Sequence, residues 1–422
     1  MAARLAPVLL LQLLTSTTAA YLSSTTIAPP STTHRHLACS RIAMLAKTTR
    51  KKKKATKGGS VKISTKGFGA APKHAGKLLD DLKYTALYAW LGTSAETSLH
   101  KVAVADFDGL RGVMALQDID KGEEIVAIPA TFAVDLGADG ADVISAAQRL
   151  LAVRAIETEP AYEPDEDEYD EETGEPLEEI PPASPRAAYW ETLPPPDSPD
   201  LCTPDFFSEK QLMMLQWPPL VTETRKRSAQ IRNALGAAAP SGATSVSALS
   251  AAGGGMRLLR WASWAVLSRV LTVQGPPDPT ALGGGLPVGR KLLIPFIDMF
   301  NHKGGTKHYL TGRTDGMLKV KAGEPIKAGE QIFIKYGTDQ TANDEFVAHY
   351  GFFDPSKEAM AADRSLVKNM QEALPALAFT SIEEDEALLK DGEMPYEEQL
   401  AVRLRLSLKK AASEEGLMPP AA

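Results

Sequence analysis

Cysteine is scarce in this sequence: two occur in 422 residues, Cys39 and Cys202. After residue 79 Cys202 stands alone, which excludes an intramolecular disulfide framework and a cysteine zinc cluster from that part of the chain. Histidine is sparse there too. His100, His302, His308 and His349 show no HExxH or comparable ligand spacing, so no metal site is expected. The chain has no phosphate loop, no dinucleotide glycine fingerprint and no nucleophile elbow. Gly283-Gly284-Gly285 lacks a following lysine and reads as a loop. Acid is missing from the whole stretch before Asp80, where 14 Lys and Arg stand unopposed. The other 32 of the 46 basic residues face all 53 acids, so a +14 leader is joined to a −21 body. A body of that charge is not a general nucleic-acid binder. At 44 % hydrophobic residues, the chain has the means to bury a core.

The leader has two parts. Arg4 precedes the 10-residue apolar run Leu5–Leu14, and small residues follow at Thr18-Ala19-Ala20. That is the layout of a secretory signal, too short to span a bilayer. Residues 21–66 are rich in Ser, Thr, Ala, Lys and Arg, as transit peptides are. A signal followed by a transit-like stretch resembles the bipartite leader of algae whose plastid lies inside extra membranes. It predicts a plastid protein without a membrane anchor in its mature form. The run Arg50-Lys51-Lys52-Lys53-Lys54 offers a nuclear address as the alternative. Residues 1–79 are therefore assigned to targeting.

The body predicts an α+β fold. Residues 80–91 read as an amphipathic helix with Leu82, Leu87 and Trp90 on one face, and Val102–Phe107, Val113–Leu116 and Glu124–Pro129 as strands split by turns at Asp108-Gly109 and Lys121-Gly122. Residues 136–255 predict a helical insert, with helices over Val143–Ile156, Phe206–Leu215 and Thr222–Leu235. Residues 157–180 hold 13 acids and no base, a solvated run, and 236–255 form a low-complexity linker. The periodicity predicts a helix over Met256–Val273, then strands at Lys291–Phe296, Leu318–Val320 and Gln331–Tyr336. Helices return after Pro355, with a capping box from Ser381 to Glu384 and a last helix over Tyr396–Ala412.

Three clusters carry polar chemistry. Asp298-Met299-Phe300-Asn301-His302 follows an apolar strand, Lys335-Tyr336-Gly337 ends another, and Asn343-Asp344-Glu345-Phe346 runs on to His349-Tyr350-Gly351-Phe352. Buried Asp, Asn and His at a strand end need hydrogen-bond partners. In this order, with Gly112 to Glu123 ahead of them and Trp264 to Arg269 between, the clusters resemble the SET-domain methyltransferases. Within these, the branch of the plant Rubisco large-subunit lysine methyltransferase and its SETD-type relatives is the most similar. The likeness covers about 100–130 and 256–354, with Tyr189 to Pro194 as a short match inside the insert.

The resemblance implies a β-rich SET fold with a threaded C-terminal segment, the helical insert at 136–255 dividing SET parts at 80–135 and 256–354, and a shortened helical substrate-binding domain at 355–422. It implies S-adenosyl-L-methionine as cofactor and a protein substrate presenting a lysine, with no nucleic acid and a monomeric enzyme. Tyr336 matches the active-site tyrosine. Asn301, His302, Tyr350 and Phe352 match cofactor-holding positions, as do Gly112, Val113 and Met114 at the cofactor's far end. Arg269, Asp298 and, across a gap, Tyr309 match positions on the substrate side. Two departures bear on substrate. Val273 stands where the Rubisco enzyme has a second arginine, and Ile297 stands where the histidine-methylating relative has tryptophan. A SET-like module that binds a protein without catalysis and a nuclear histone methyltransferase are the alternatives.

Overall fold

The computed structural model describes residues 76–160, 182, 184–236, 254–277, 287–312, 315–357 and 364–417. Most of the leader, the bulk of the acidic run at 161–180 and the low-complexity segment at 237–253 lie outside these. Three antiparallel-based sheets form the β part. The first holds β1 (Lys77–Leu78), β2 (Val102–Phe107), β3 (Leu110–Ala115), β11 (Gln331–Ile334) and β8 (Asn301–His302), in the order β1-β2-β3-β11-β8. The second orders β4 (Glu124–Pro129), β10 (Met317–Lys321) and β9 (Tyr309–Thr311), and the third β5 (Val134–Ala138), β7 (Pro287–Leu293) and β6 (Val270–Pro277). β1 falls within the stretch assigned to targeting. It pairs with β2 through Lys77↔Asp106 and Leu78↔Ala105, so the folded body already includes these residues.

The helices are α1 (Leu82–Leu91), α2 (Val143–Thr158), α3 (Ala187–Trp190), α4 (Glu209–Met214), α5 (Pro218–Gly236), α6 (Gly255–Arg269), α7 (Asn343–Tyr350), α8 (Arg364–Leu377), α9 (Ile382–Asp391) and α10 (Tyr396–Glu414). On α1 the buried side chains are Tyr84, Leu87 and Leu91, whereas Leu82 is exposed. The helix expected to run to Val273 stops at Arg269. Val270–Val273 instead open β6, paired residue by residue with β7 from Val270↔Leu293 to Val273↔Arg290. Branched Val270, Thr272 and Val273 suit a pleated surface better than a helix end, and only the partner strand reveals that. The expected capping box holds locally, with Ser381 accepting from the Glu384 N–H, and the structure adds a second on α4 between Ser208 and Gln211.

Two main hydrophobic cores form among the described residues, beside a small cluster of Ala105, Phe107 and Met114. The larger joins the sheets to α1, α2, α3 and α6 through Leu87, Val104, Ile125, Leu150, Tyr189, Trp261 and Phe300. The smaller packs α4, α5 and α7 against α8 and α10 through Leu212, Trp217, Leu220, Val347, Leu377, Leu400 and Leu404. The insert, read as one block, is thus shared between the two cores. Its first half closes the sheets, while its second half joins the C-terminal helices through Leu212, Trp217 and Leu220 and reaches back to the larger core through Ile231. Between α9 and α10 Asp385 is fully buried and bound by Arg405 (Nη2 to Oδ1, 2.6 Å) and Lys409 (Nζ to Oδ2, 2.6 Å). Among the described residues no helix is long and apolar enough to cross a membrane.

Candidate active site

β8 is two residues long and lies parallel to β11, with Asn301 opposite Phe333 and His302 opposite Ile334. Adjacent strand residues point to opposite faces. The Asn301 amide therefore reaches across to β3 and donates to the Arg111 carbonyl at 2.6 Å. A side chain at Gly112 would collide there: its Cβ would stand 2.2 Å from Gln331 Nε2 and 3.0 Å from Asn301 Nδ2. A larger residue at 112 would have to push the Gln331 amide aside, so glycine serves this close approach rather than a turn.

His302 points the other way and is fully buried. Its Nδ1 accepts the Tyr336 N–H at 2.9 Å, which makes the other nitrogen the protonated one, donating from Nε2 to Asp354 Oδ2 at 3.1 Å. Burial lowers the pKa of His302 and keeps the ring neutral, as that acceptor role needs. The imidazole thus fixes the backbone of Tyr336 instead of lining the cleft.

Tyr336 follows β11. Its ring packs against Tyr350 with centroids 4.9 Å apart, and its hydroxyl donates to the Phe300 carbonyl at 2.5 Å. Burial pushes the phenol far above its ordinary pKa, so it stays protonated. Tyr350 ends α7, and Phe352, two residues on, stacks on Phe346 and His302 at centroid distances of 5.1 and 5.4 Å.

Asp298 sits in the short turn after β7. Phe296, at φ 69°, reverses the chain there in a conformation rare for a bulky residue. The Asp298 carboxyl is wholly buried and accepts from the Tyr189 hydroxyl at 2.9 Å. Arg269 Nη1 donates to the Asp298 carbonyl at 3.1 Å, while its guanidinium lies 5.1 Å from the Trp264 ring centroid. Burial raises the Asp298 pKa, opposed by the charges of Arg269 and Arg111, and burial lowers that of Arg269. Asp298 Oδ1 and Arg269 Nε are buried without a hydrogen-bond partner.

These groups meet in one cleft of about 470 Å³. Arg269, Asp298, Asn301, Tyr336, Tyr350 and Phe352 line it. His302 does not, for the reason given. Nor do Gly112, Val113 and Met114: Val113 is sealed in the main core, and Met114 packs with Ala105 and Phe107. The wall is instead Gly109 of the β2–β3 turn with Leu110 and Arg111 at the start of β3. Tyr309 lies on edge strand β9, 50 % exposed and away from the cleft. Arg111, Tyr189, Cys202 and Tyr396 were not singled out from the sequence as site residues. Tyr189 stood in a matched segment and Arg111 beside a matched glycine. Cys202 and Tyr396 carry no local signal. Burial pushes the Cys202 thiol up to about 12, so it is no ready nucleophile. Among the described residues no group of three His, Cys, Asp or Glu side chains is placed to hold a metal ion.

A family model described as SET domain matches residues 110–337. Among curated proteins, the actin-histidine N-methyltransferase of Drosophila melanogaster is 35 % identical over 102 residues, 24 % of this chain and 18 % of that protein. That of Danio rerio is 38 % identical over 109 residues, 26 % of this chain and 16 % of that protein. The chain thus spans less than a fifth of the length of these relatives. Among solved structures, Rubisco LSMT bound to AdoMet superposes with a TM-score of 0.54 at 16 % identity, covering 80 % of this chain and 92 % of the other. The SET domain of LSMT bound to lysine and AdoHcy gives 0.51 at 17 % identity, covering 79 % and 89 %. At such identities the likeness is one of fold.

Proposed function

We propose, from the premise that this chain belongs to the SET-domain family, that it is an S-adenosylmethionine-dependent methyltransferase acting on a lysine of a plastid protein. The observation that carries the reading is the cleft itself. Its lining brings the aromatic rings of Tyr336, Tyr350 and Phe352 together with the charged groups of Arg111, Arg269 and Asp298. A ligand with a flat base and a charged amino-acid end fits that mixture: rings for the base, guanidinium groups of Arg269 and Arg111 for a carboxylate.

The cofactor, when bound, would supply a sulfonium-borne methyl group to a neutral nitrogen, the C–S bond breaking as the N–C bond forms and the sulfur leaving as a thioether. The chain's own residues align that nitrogen. Tyr336 spends its proton on the Phe300 carbonyl, so its oxygen faces the cleft as an acceptor for an N–H of the target amine. The nitrogen lone pair then points away from the phenol. Orientation of this kind lowers barriers by several kcal/mol, up to about 7–11 at best. A lysine of ordinary pKa, about 10.4, must lose a proton, at a cost near pH 7 of roughly 4–5 kcal/mol. Desolvation in the cleft and the charges of Arg111 and Arg269 reduce that cost, so no general base is assigned.

Lysine is favoured by Ile297, which stands where the histidine-methylating relative carries tryptophan. Histidine is the second reading, because the curated relatives named above methylate it. The test is incubation of the purified chain with S-adenosylmethionine and either plastid or histone extract, followed by mass spectrometry of methylated peptides. New methyl-lysine on plastid proteins supports the proposal. Methyl-histidine moves the target to the second reading. Absence of any methylation, together with no calorimetric heat on adding cofactor, favours a binding module. A fluorescent fusion of residues 1–79 tests the plastid address against the nuclear one.

A further inference from the structure

Gly351 stands between Tyr350 and Phe352, two of the rings that the cofactor reading places against the base, and the inference rests on that reading. It closes α7 in the left-handed region, at φ 74°. Carbonyls at a helix end have no partner within the helix and must find donors elsewhere. The Gly351 carbonyl finds two, both distant in sequence: the Tyr396 hydroxyl at 3.0 Å and the Cys202 thiol at 3.4 Å. Cys202 approaches so closely that a Cβ on Gly351 would stand 3.0 Å from its main chain. Tyr396 is the first residue of α10, the helix whose Leu400, Leu404 and Leu408 build the smaller core. Burial raises the pKa of its phenol and keeps it a neutral donor. The same α7 places Val347 and Ala348 in that core and Phe346 under Phe352. One short helix therefore touches the C-terminal helices on one side and the cleft at its end.

We propose that Tyr396 is a positioning residue for the cofactor wall: its hydroxyl pins the Gly351 peptide, so that the C-terminal helical segment sets the orientation of Tyr350 and Phe352. Binding of the cofactor and docking of the α10 start are then two faces of one equilibrium, each strengthening the other.

The test uses the full chain with S-adenosylhomocysteine as probe. Calorimetry on wild type and Tyr396→Phe, with the Tm of each recorded, is expected to show about fivefold weaker binding in the variant, the scale of one lost neutral hydrogen bond. Hydrogen exchange of residues 396–404 is expected to slow on adding the probe to wild type. In Tyr396→Phe the slowing is lost, a coupling that mere loss of stability does not produce. Equal affinity in the two proteins, or no slowing at 396–404 in wild type, overturns the positioning role while leaving the cofactor reading intact. Failure of wild type to bind the probe at all overturns the cofactor reading itself. Should Tyr396→Phe fail to fold, the wild-type exchange measurement decides alone.

Discussion

Replacing Tyr336 with phenylalanine removes one oxygen and leaves the ring among His302, Tyr350 and Phe352, whose centroids lie 5.3, 4.9 and 6.4 Å from its own. The backbone anchor from Tyr336 N–H to His302 Nδ1 is untouched. The lost bond to the Phe300 carbonyl is a single one, so stability should fall by about 0.5–1.5 kcal/mol. Cofactor affinity should change little, because the ring face remains. Turnover should suffer far more. Without the phenol oxygen the target amine loses the acceptor that fixes its lone pair, and misalignment of about 1 Å alone costs on the order of 100-fold. The assay is initial-rate methyl transfer on the acceptor identified in the extract experiment, alongside calorimetric titration with S-adenosylhomocysteine. A variant that turns over at the wild-type rate refutes the assigned role. A variant whose cofactor affinity falls in step with its rate refutes the separation of alignment from binding.

Asn301→Ala frees the Arg111 carbonyl at the start of β3, which forms the cleft wall, and should weaken S-adenosylhomocysteine binding up to about tenfold by calorimetry. Stability should fall as pH drops from about 7 towards 5: the folded pKa of His302 lies below its unfolded value near 6.5, so the unfolded chain takes up protons first. Thermal melts that rise on acidification across this range would refute the neutral, acceptor role of His302. Asp385→Asn leaves the buried charges of Arg405 and Lys409 without their carboxylate between α9 and α10 and should cost about 3–5 kcal/mol in urea unfolding.

Much of the sheet part was legible because its signals are local. Glycine turns, apolar strands and the order of three polar clusters suffice to place β2, β4, β10 and β11 and to resemble a SET fold. The α6–β6 junction was not, since a run of apolar residues reads alike as helix or strand until a partner strand is known. His302 was legible as important but not in its role, because whether a ring lines a cleft or braces a backbone depends on which face of a two-residue strand it occupies. Tyr309 shows the converse: a tyrosine matched by type lies on an exposed edge.

By itself the sequence determined the charge division, the absence of a cysteine zinc cluster, and the identity of the residues at the ends of β7, β11 and α7, since composition and local pattern need no neighbours. Only the tertiary structure decided what those residues meet. It set Tyr189, 109 positions from Asp298, against its carboxylate, and Tyr396 against Gly351. It also divided the insert between two cores. Such contacts close loops of many tens of residues, and their energy comes from burial and hydrogen bonding that exist only once both partners are folded.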